Sequence, residues 1–171
     1  MNRNDKAIIF TASTISIGLL LIAMTITFSP KLVWNASQSA PLGLYFIKDR
    51  QPVLGEYALI RPSKTVAMFI EERGYLPPET LLIKRIVALP GDEICRKDLG
   101  IFINKIHVAE VQKADSLDRE MPQWSGCFTL KTGEVFLLND HEKSLDGRYF
   151  GATKLNDVVG VAVPLFVKGR A

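Results

Sequence analysis

Hydrophobic and polar positions divide the chain into two parts. Residues 7–28 carry no charge at all. As a helix these 22 residues would span about 33 Å, against a hydrocarbon core of about 30 Å. Thr11, Ser13, Thr14, Ser16, Thr25 and Thr27 dilute the run, but hydroxyls can bond back to helix carbonyls. Arg3 and Lys6 precede it and favour a cytoplasmic N-terminus. The pattern predicts a cytoplasmic segment at 1–6, a transmembrane anchor at 7–29 and an exported domain at 30–171. A cleaved signal peptide is the rival reading; its apolar region would be shorter, about 7–15 residues.

Beyond Pro30 the pattern changes to short apolar runs separated by turn residues. Strands are predicted at 43–47, 56–60, 81–89, 101–109, 134–138 and 158–167. Residues 101–109 read as a hairpin around Asn104-Lys105. A single short helix is predicted at 65–73. No alternation of strand and helix occurs, so the expected fold is mainly β and antiparallel.

Composition narrows the function. Hydrophobic residues make up 47% and charged residues 23%, which is globular rather than disordered. The net charge is only +3 and the basic residues are scattered, so no nucleic-acid partner is expected. His107 and His141 stand alone without a metal-binding spacing, which argues against a metal hydrolase. Cys95 and Cys127 are too few for a disulfide framework. If the domain is exported, a bridge between them is favoured over two separate thiols.

The run Leu81-Leu82-Ile83-Lys84-Arg85-Ile86-Val87-Ala88 is apolar apart from two cations. Side chains alternate along a strand, so Lys84 shares a face with Leu82, Ile86 and Ala88. Burial there would push the ammonium pKa down and yield a usable general base. The alternative is a lysine that snorkels outward or pairs with an acid. Arg85 is excluded as a base because guanidinium does not deprotonate in proteins. A serine would complete a Ser-Lys pair. Ser29, Ser37, Ser39, Ser63, Ser116, Ser125 and Ser144 are all candidates, and spacing does not choose among them. Lys131-Thr132-Gly133 matches the KTG element of penicillin-binding enzymes, but no SxxK accompanies it, so it reads as a turn.

Three boxes then carry a resemblance. Asn35-Ala36-Ser37-Gln38-Ser39-Ala40-Pro41-Leu42-Gly43-Leu44-Tyr45 resembles the Asn-x-Thr/Ser-x-Ser-x-Pro-x-Gly-Leu-Tyr box of TraF-like conjugative transfer peptidases, in the signal peptidase I superfamily. Lys84-Arg85-Ile86-Val87-Ala88-Leu89-Pro90-Gly91-Asp92 resembles the superfamily's lysine box. Ser144-Leu145-Asp146-Gly147-Arg148-Tyr149-Phe150-Gly151 resembles its third box. The resemblance runs from about residue 32 to 166. Two departures stand out: Gly147 replaces a serine, and Lys105 replaces a hairpin glycine.

The resemblance implies a signal peptidase I-like antiparallel β-sheet domain behind one transmembrane helix. It implies Ser39 as nucleophile, with Ser37 as the rival, and Lys84 as general base. Ser144 would orient the lysine, Asp146 would be the acid of the third box, and Arg148 its partner. No cofactor or metal is implied. The expected substrate is a membrane-inserted pilin precursor or another preprotein, cut at the bilayer surface, with head-to-tail cyclisation as one outcome. The expected location is the bacterial inner membrane, single-pass, with the catalytic domain in the periplasm. A general signal peptidase is one alternative. A catalytically silent component of a secretion or conjugation apparatus is another, although the intact Ser39, Lys84 and Asp146 set speaks against it.

Overall fold

The computed structural model describes residues 11–18, 20 and 30–168. The chain divides into two units, residues 1–30 and 31–171. In the first, residues 11–18 are helical, and among the described residues no helix is long and apolar enough to cross a membrane. The anchor expected at 7–29 lies mostly outside the described residues.

In the second unit the short apolar runs become strands. β1 (Leu32–Asn35), β2 (Leu42–Lys48), β3 (Tyr57–Ile60), β4 (Leu82–Ala88), β9 (Glu134–Leu138), β10 (Thr153–Lys154) and β11 (Val158–Lys168) form one sheet, in the order β1-β2-β11-β3-β4-β9-β10. β5 (Glu93–Lys97), β6 (Gly100–Ile103), β7 (Ile106–Glu110) and β8 (Gly126–Thr129) form a second, in the order β7-β6-β5-β8. Every strand pair is antiparallel. The protein is thus mainly β, as the turn punctuation predicts.

The one helix predicted at 65–73 is α1 (Lys64–Glu72), capped by the Ser63 side chain on Val66 N–H. A second, α2 (Gly147–Phe150), is a single turn capped by Asp146. Sequence reading missed α2, β1, β5, β8 and β10. α2 is too short for helical periodicity, and β5 (Glu-Ile-Cys-Arg-Lys) hides buried Arg96 among polar neighbours.

The hairpin at 101–109 forms as β6 and β7, with Asn104 and Lys105 both at positive φ, 49° and 71°. A two-residue primed turn demands that conformation, and Lys105 adopts it without being glycine. Gly43 sits at φ +139°, where an added Cβ would lie 2.0 Å from Phe166 O. Only glycine lets β2 run against the irregular register of β11 between Pro164 and Phe166. Cys95 and Cys127 are in register across β5 and β8 and joined by a disulfide.

Three buried clusters fill the unit, and β4 contributes to all of them through Ile83, Ile86 and Ala88. β4 is therefore covered on both faces at its start, where Lys84 lies. By contrast, Leu32, Trp34, Phe46 and Phe166 remain exposed. Register pairs Leu32 with Phe46, and Leu44 with both Trp34 and Phe166, so these side chains share one outer sheet face.

Candidate active site

The lysine of β4 does not snorkel. Lys84 is 4% exposed, between β3 and β9 in the sheet. Its Nζ donates to Ser144 Oγ at 2.8 Å and lies 3.4 Å from Ser39 Oγ. Desolvation by burial lowers its pKa to about 8; the Asp146 carboxylate pulls it up and the Arg148 guanidinium pushes it down. The free energy behind that shift is about 3 kcal/mol.

Ser39 arrives from a different part of the sheet, in the connection between β1 and β2. Its neighbour Ala40 is buried in the same cluster as Ile83, which precedes Lys84. Ser37 Oγ is 2.9 Å from Ser39 Oγ, so the two hydroxyls are bonded to each other. Of the two, Ser39 is the one hydrogen-bonded to Lys84.

Ser144 comes from the segment after β9 and is 1% exposed. Asp146 and Arg148 form a buried ion pair, Nε to Oδ1 at 2.8 Å, with side chains 0% and 2% exposed. They are not a surface pair. Asp146 Oδ2 also accepts from Asn139 N–H, and Arg148 Nη2 donates to Asn139 O at 2.6 Å. The carboxylate therefore faces Arg148 and the backbone, while the lysine is bonded to the two serines. Gly147 has a local reason for replacing serine: a Cβ there would lie 2.8 Å from Leu137 O and from the Phe136 ring.

Two residues escaped the sequence reading as parts of this arrangement. Asn35 is 8% exposed, and its Nδ2 donates to the carbonyls of Ser37, Ala40 and Pro41, each at 3.0 Å. Its Oδ1 accepts from Ser37 N–H at 3.1 Å. One carboxamide thus holds the whole serine turn. The signal was present in the first box, but an asparagine before Ala-Ser reads as ordinary turn chemistry. The second is Asn139, whose Oδ1 accepts from Arg85 N–H and whose Nδ2 donates to Ile83 O. It clamps the backbone on both sides of Lys84. Nothing in Leu138-Asn139-Asp140 distinguishes it from a strand-ending asparagine.

A cavity of about 520 Å³ opens over the pair, lined by Ser39 and Lys84 together with Leu82, Leu145, Tyr149 and Met121 among others. A hydroxyl, a desolvated amine and an adjoining apolar cavity can together perform nucleophilic attack with general-base assistance. Among the described residues no group of His, Cys, Asp or Glu is arranged to hold a metal ion.

Comparison with known proteins gives the family. Residues 6–167 match the family model described as signal peptidase, peptidase S26. Plasmid transfer protein TraF of Escherichia coli is 33% identical over 143 residues, covering 77% of this chain and 80% of that protein. The conjugal transfer protein TraF of Agrobacterium fabrum is 32% identical over 144 residues, with the same coverage. A solved signal peptidase I of Enterococcus faecalis aligns with a TM-score of 0.40 and 22% identity, over 67% of this chain and 98% of that one. With a family model matched over nearly its whole length and relatives at this identity and coverage, the chain belongs to the signal peptidase family, peptidase S26.

Proposed function

We propose that this protein is a membrane-anchored serine endopeptidase that processes a conjugative pilin precursor through a Ser39–Lys84 dyad. The observation that carries the reading is the buried Lys84 amine, bonded to one serine and facing another at the floor of an open cavity. Ser144 accepts one N–H of the amine. In the neutral amine this leaves the nitrogen lone pair for the Ser39 proton. Ser39 Oγ attacks the scissile carbonyl as Lys84 takes that proton, giving a tetrahedral oxyanion. Its collapse expels the amine of the leaving peptide, protonated by Lys84, and leaves an acyl-enzyme. Water then resolves the ester. If the substrate's own N-terminal amine is held at high effective molarity, it attacks instead and the product is a ring.

The conjugative role is taken from the TraF relatives. The bilayer location is supported by the uncharged run at 7–28 and by the exposed Leu32, Trp34, Phe46 and Phe166 face. Alkaline carbonate extraction of membranes tests the anchor; release into the soluble fraction would remove it from the reading.

The deciding experiment is intact-mass analysis of the candidate pilin precursor co-expressed with wild type, Ser39→Ala or Lys84→Ala. Shortening by wild type alone is expected, with a further loss of one water if the product is cyclic. Equal masses in all three, with the precursor present and membrane-inserted, would reject the pilin substrate. A signal-peptide reporter then separates a general signal peptidase from a protein that is no peptidase.

Asn35→Ala is expected to slow processing by about 10- to 100-fold with little change in KM. It leaves the buried Ala40 O without that donor, at about 1–3 kcal/mol, while Pro41 O keeps its bond from Tyr45 Oη, and it frees the Ser39 turn. Asn35→Asp keeps the acceptor for Ser37 N–H but loses all three donated bonds, so it should be nearly as slow. A rate equal to wild type in both variants, from single-turnover kinetics, would remove Asn35 from the positioning of Ser39.

A further inference from the structure

Two walls of the cavity beside Ser39 differ in construction. One is the main sheet at Leu82 and Lys84. The other is made of two segments remote in sequence: Tyr75-Leu76, which follows α1, and residues 112–121, in the connection from β7 to β8. The second segment folds back on itself. Ala114 bridges Glu120, and Met121 N–H donates to Lys113 O.

One carboxylate sits at the junction of the two segments. Asp115 Oδ2 accepts from Tyr75 Oη at 2.6 Å and from Arg119 Nε at 2.8 Å, with Arg73 Nη1 at 3.6 Å. Asp115 Oδ1 accepts from the N–H groups of Leu117 and Arg119. The Asp115 side chain is only 8% exposed. Three more contacts cross the same seam: Arg73 Nη2 to Glu120 O, the Arg119 guanidinium to Arg73 O, and Tyr75 Oη to Met121 Sδ at 3.5 Å. Arg119 also lies over the Tyr75 ring, 5.4 Å from its centroid.

We propose that Asp115 is a specificity-determining positioning residue: it fixes the separation between the Tyr75-Met121 wall and Ser39, and thereby the size of substrate side chain accepted beside the scissile bond. The inference rests on the reading of Ser39 and Lys84 as the reacting pair. Its physical basis is that the seam is electrostatic. Without the carboxylate, Arg73 and Arg119 face each other as two cations with no counter-charge, and like charges repel. Tyr75 Oη loses its carboxylate acceptor at the same time and keeps only the weak contact to Met121 Sδ. The remaining lining at Tyr75, Leu76, Ala114 and Met121 discriminates by volume. In such a pocket one methylene is worth roughly 10- to 200-fold in kcat/KM. A wall free to move outward therefore relaxes discrimination while the chemistry at Ser39 continues.

The test uses the full-length protein and a reporter preprotein whose residue before the cut is Ala, Val or Leu. Wild type, Ser39→Ala, Asp115→Ala and Tyr75→Phe are compared. Asp115→Ala is expected to lower the Ala-over-Leu ratio of kcat/KM by about 10-fold, mainly through KM. The acid limb of its pH–rate profile should stay where it is in wild type. Tyr75→Phe should move the ratio in the same direction by less, and it carries the comparison if Asp115→Ala does not fold. A ratio held at the wild-type value while all three substrates slow together would overturn the inference and make the seam merely structural. Cleavage by Ser39→Ala, or none by wild type, would instead overturn the Ser-Lys reading beneath it.

Discussion

Lys84→Met is expected to lower the rate of precursor processing by about 10,000-fold, the upper range for loss of a general base, while leaving the fold as stable as wild type or more so. The two effects have one origin. The site holds an amine at 4% exposure, and desolvation brings its pKa from 10.5 to about 8. Methionine fills similar space without a charge to desolvate, and the roughly 3 kcal/mol so recovered offsets the hydrogen bond that Ser144 Oγ loses.

The pH dependence separates this account from a structural one. Wild-type activity should rise about tenfold per unit up to pH 8 and then level, because about one lysine in ten is neutral at pH 7. Stability moves in a different window. Below pH 8 the lysine is charged in both states and the full cost of burying it is present. Between pH 8 and 10.5 only the unfolded chain holds the proton, so stability rises with pH, by about 3 kcal/mol in total. Denaturant titrations across that range should show the rise in wild type and its absence in Lys84→Met. A slope that survives the substitution would assign it to another group.

The second large effect concerns the buried pair. Asp146→Ala and Arg148→Met should each cost about 3–5 kcal/mol, since each leaves a charge buried without its partner. Melting temperatures would then fall by roughly 10–20 °C. The Asp146→Ala/Arg148→Met double variant should be more stable than the sum of the two losses, because no lone charge remains. Activity supplies a sign test. The Asp146 carboxylate raises the Lys84 pKa and the Arg148 guanidinium lowers it. Asp146→Asn should therefore move the acid limb of the pH–rate profile below pH 8, and Arg148→Met should move it above. Shifts in the same direction from both would mean that the pair acts on Lys84 through displaced backbone rather than through charge.

Short apolar runs and turn residues alone determined that this domain is mainly β, and they gave the positions of β2, β3, β4, β9 and β11 closely. Those strands are legible as short apolar runs between turns; β2 also alternates in burial, whereas β3 and β9 are buried almost throughout. The apolar run of β4 also singled out its lysine, since an uncompensated cation in such a strand is conspicuous in one dimension. What the sequence left open was the environment. Whether Lys84 snorkels or stays buried depends on Ile83 and Ile86 packing into different clusters on opposite faces of β4. Which serine meets it depends on a turn 45 residues away. The clamps at Asn35 and Asn139 and the carboxylate hub at Asp115 were likewise hidden. Their partners are backbone carbonyls and amides or side chains brought together by sheet order, and such partners leave no mark on hydrophobic spacing. Local free energies set by apolar runs and turn geometry are written along the chain. The protonation state and reach of a buried amine are set by everything packed around it, and only the tertiary structure decides those.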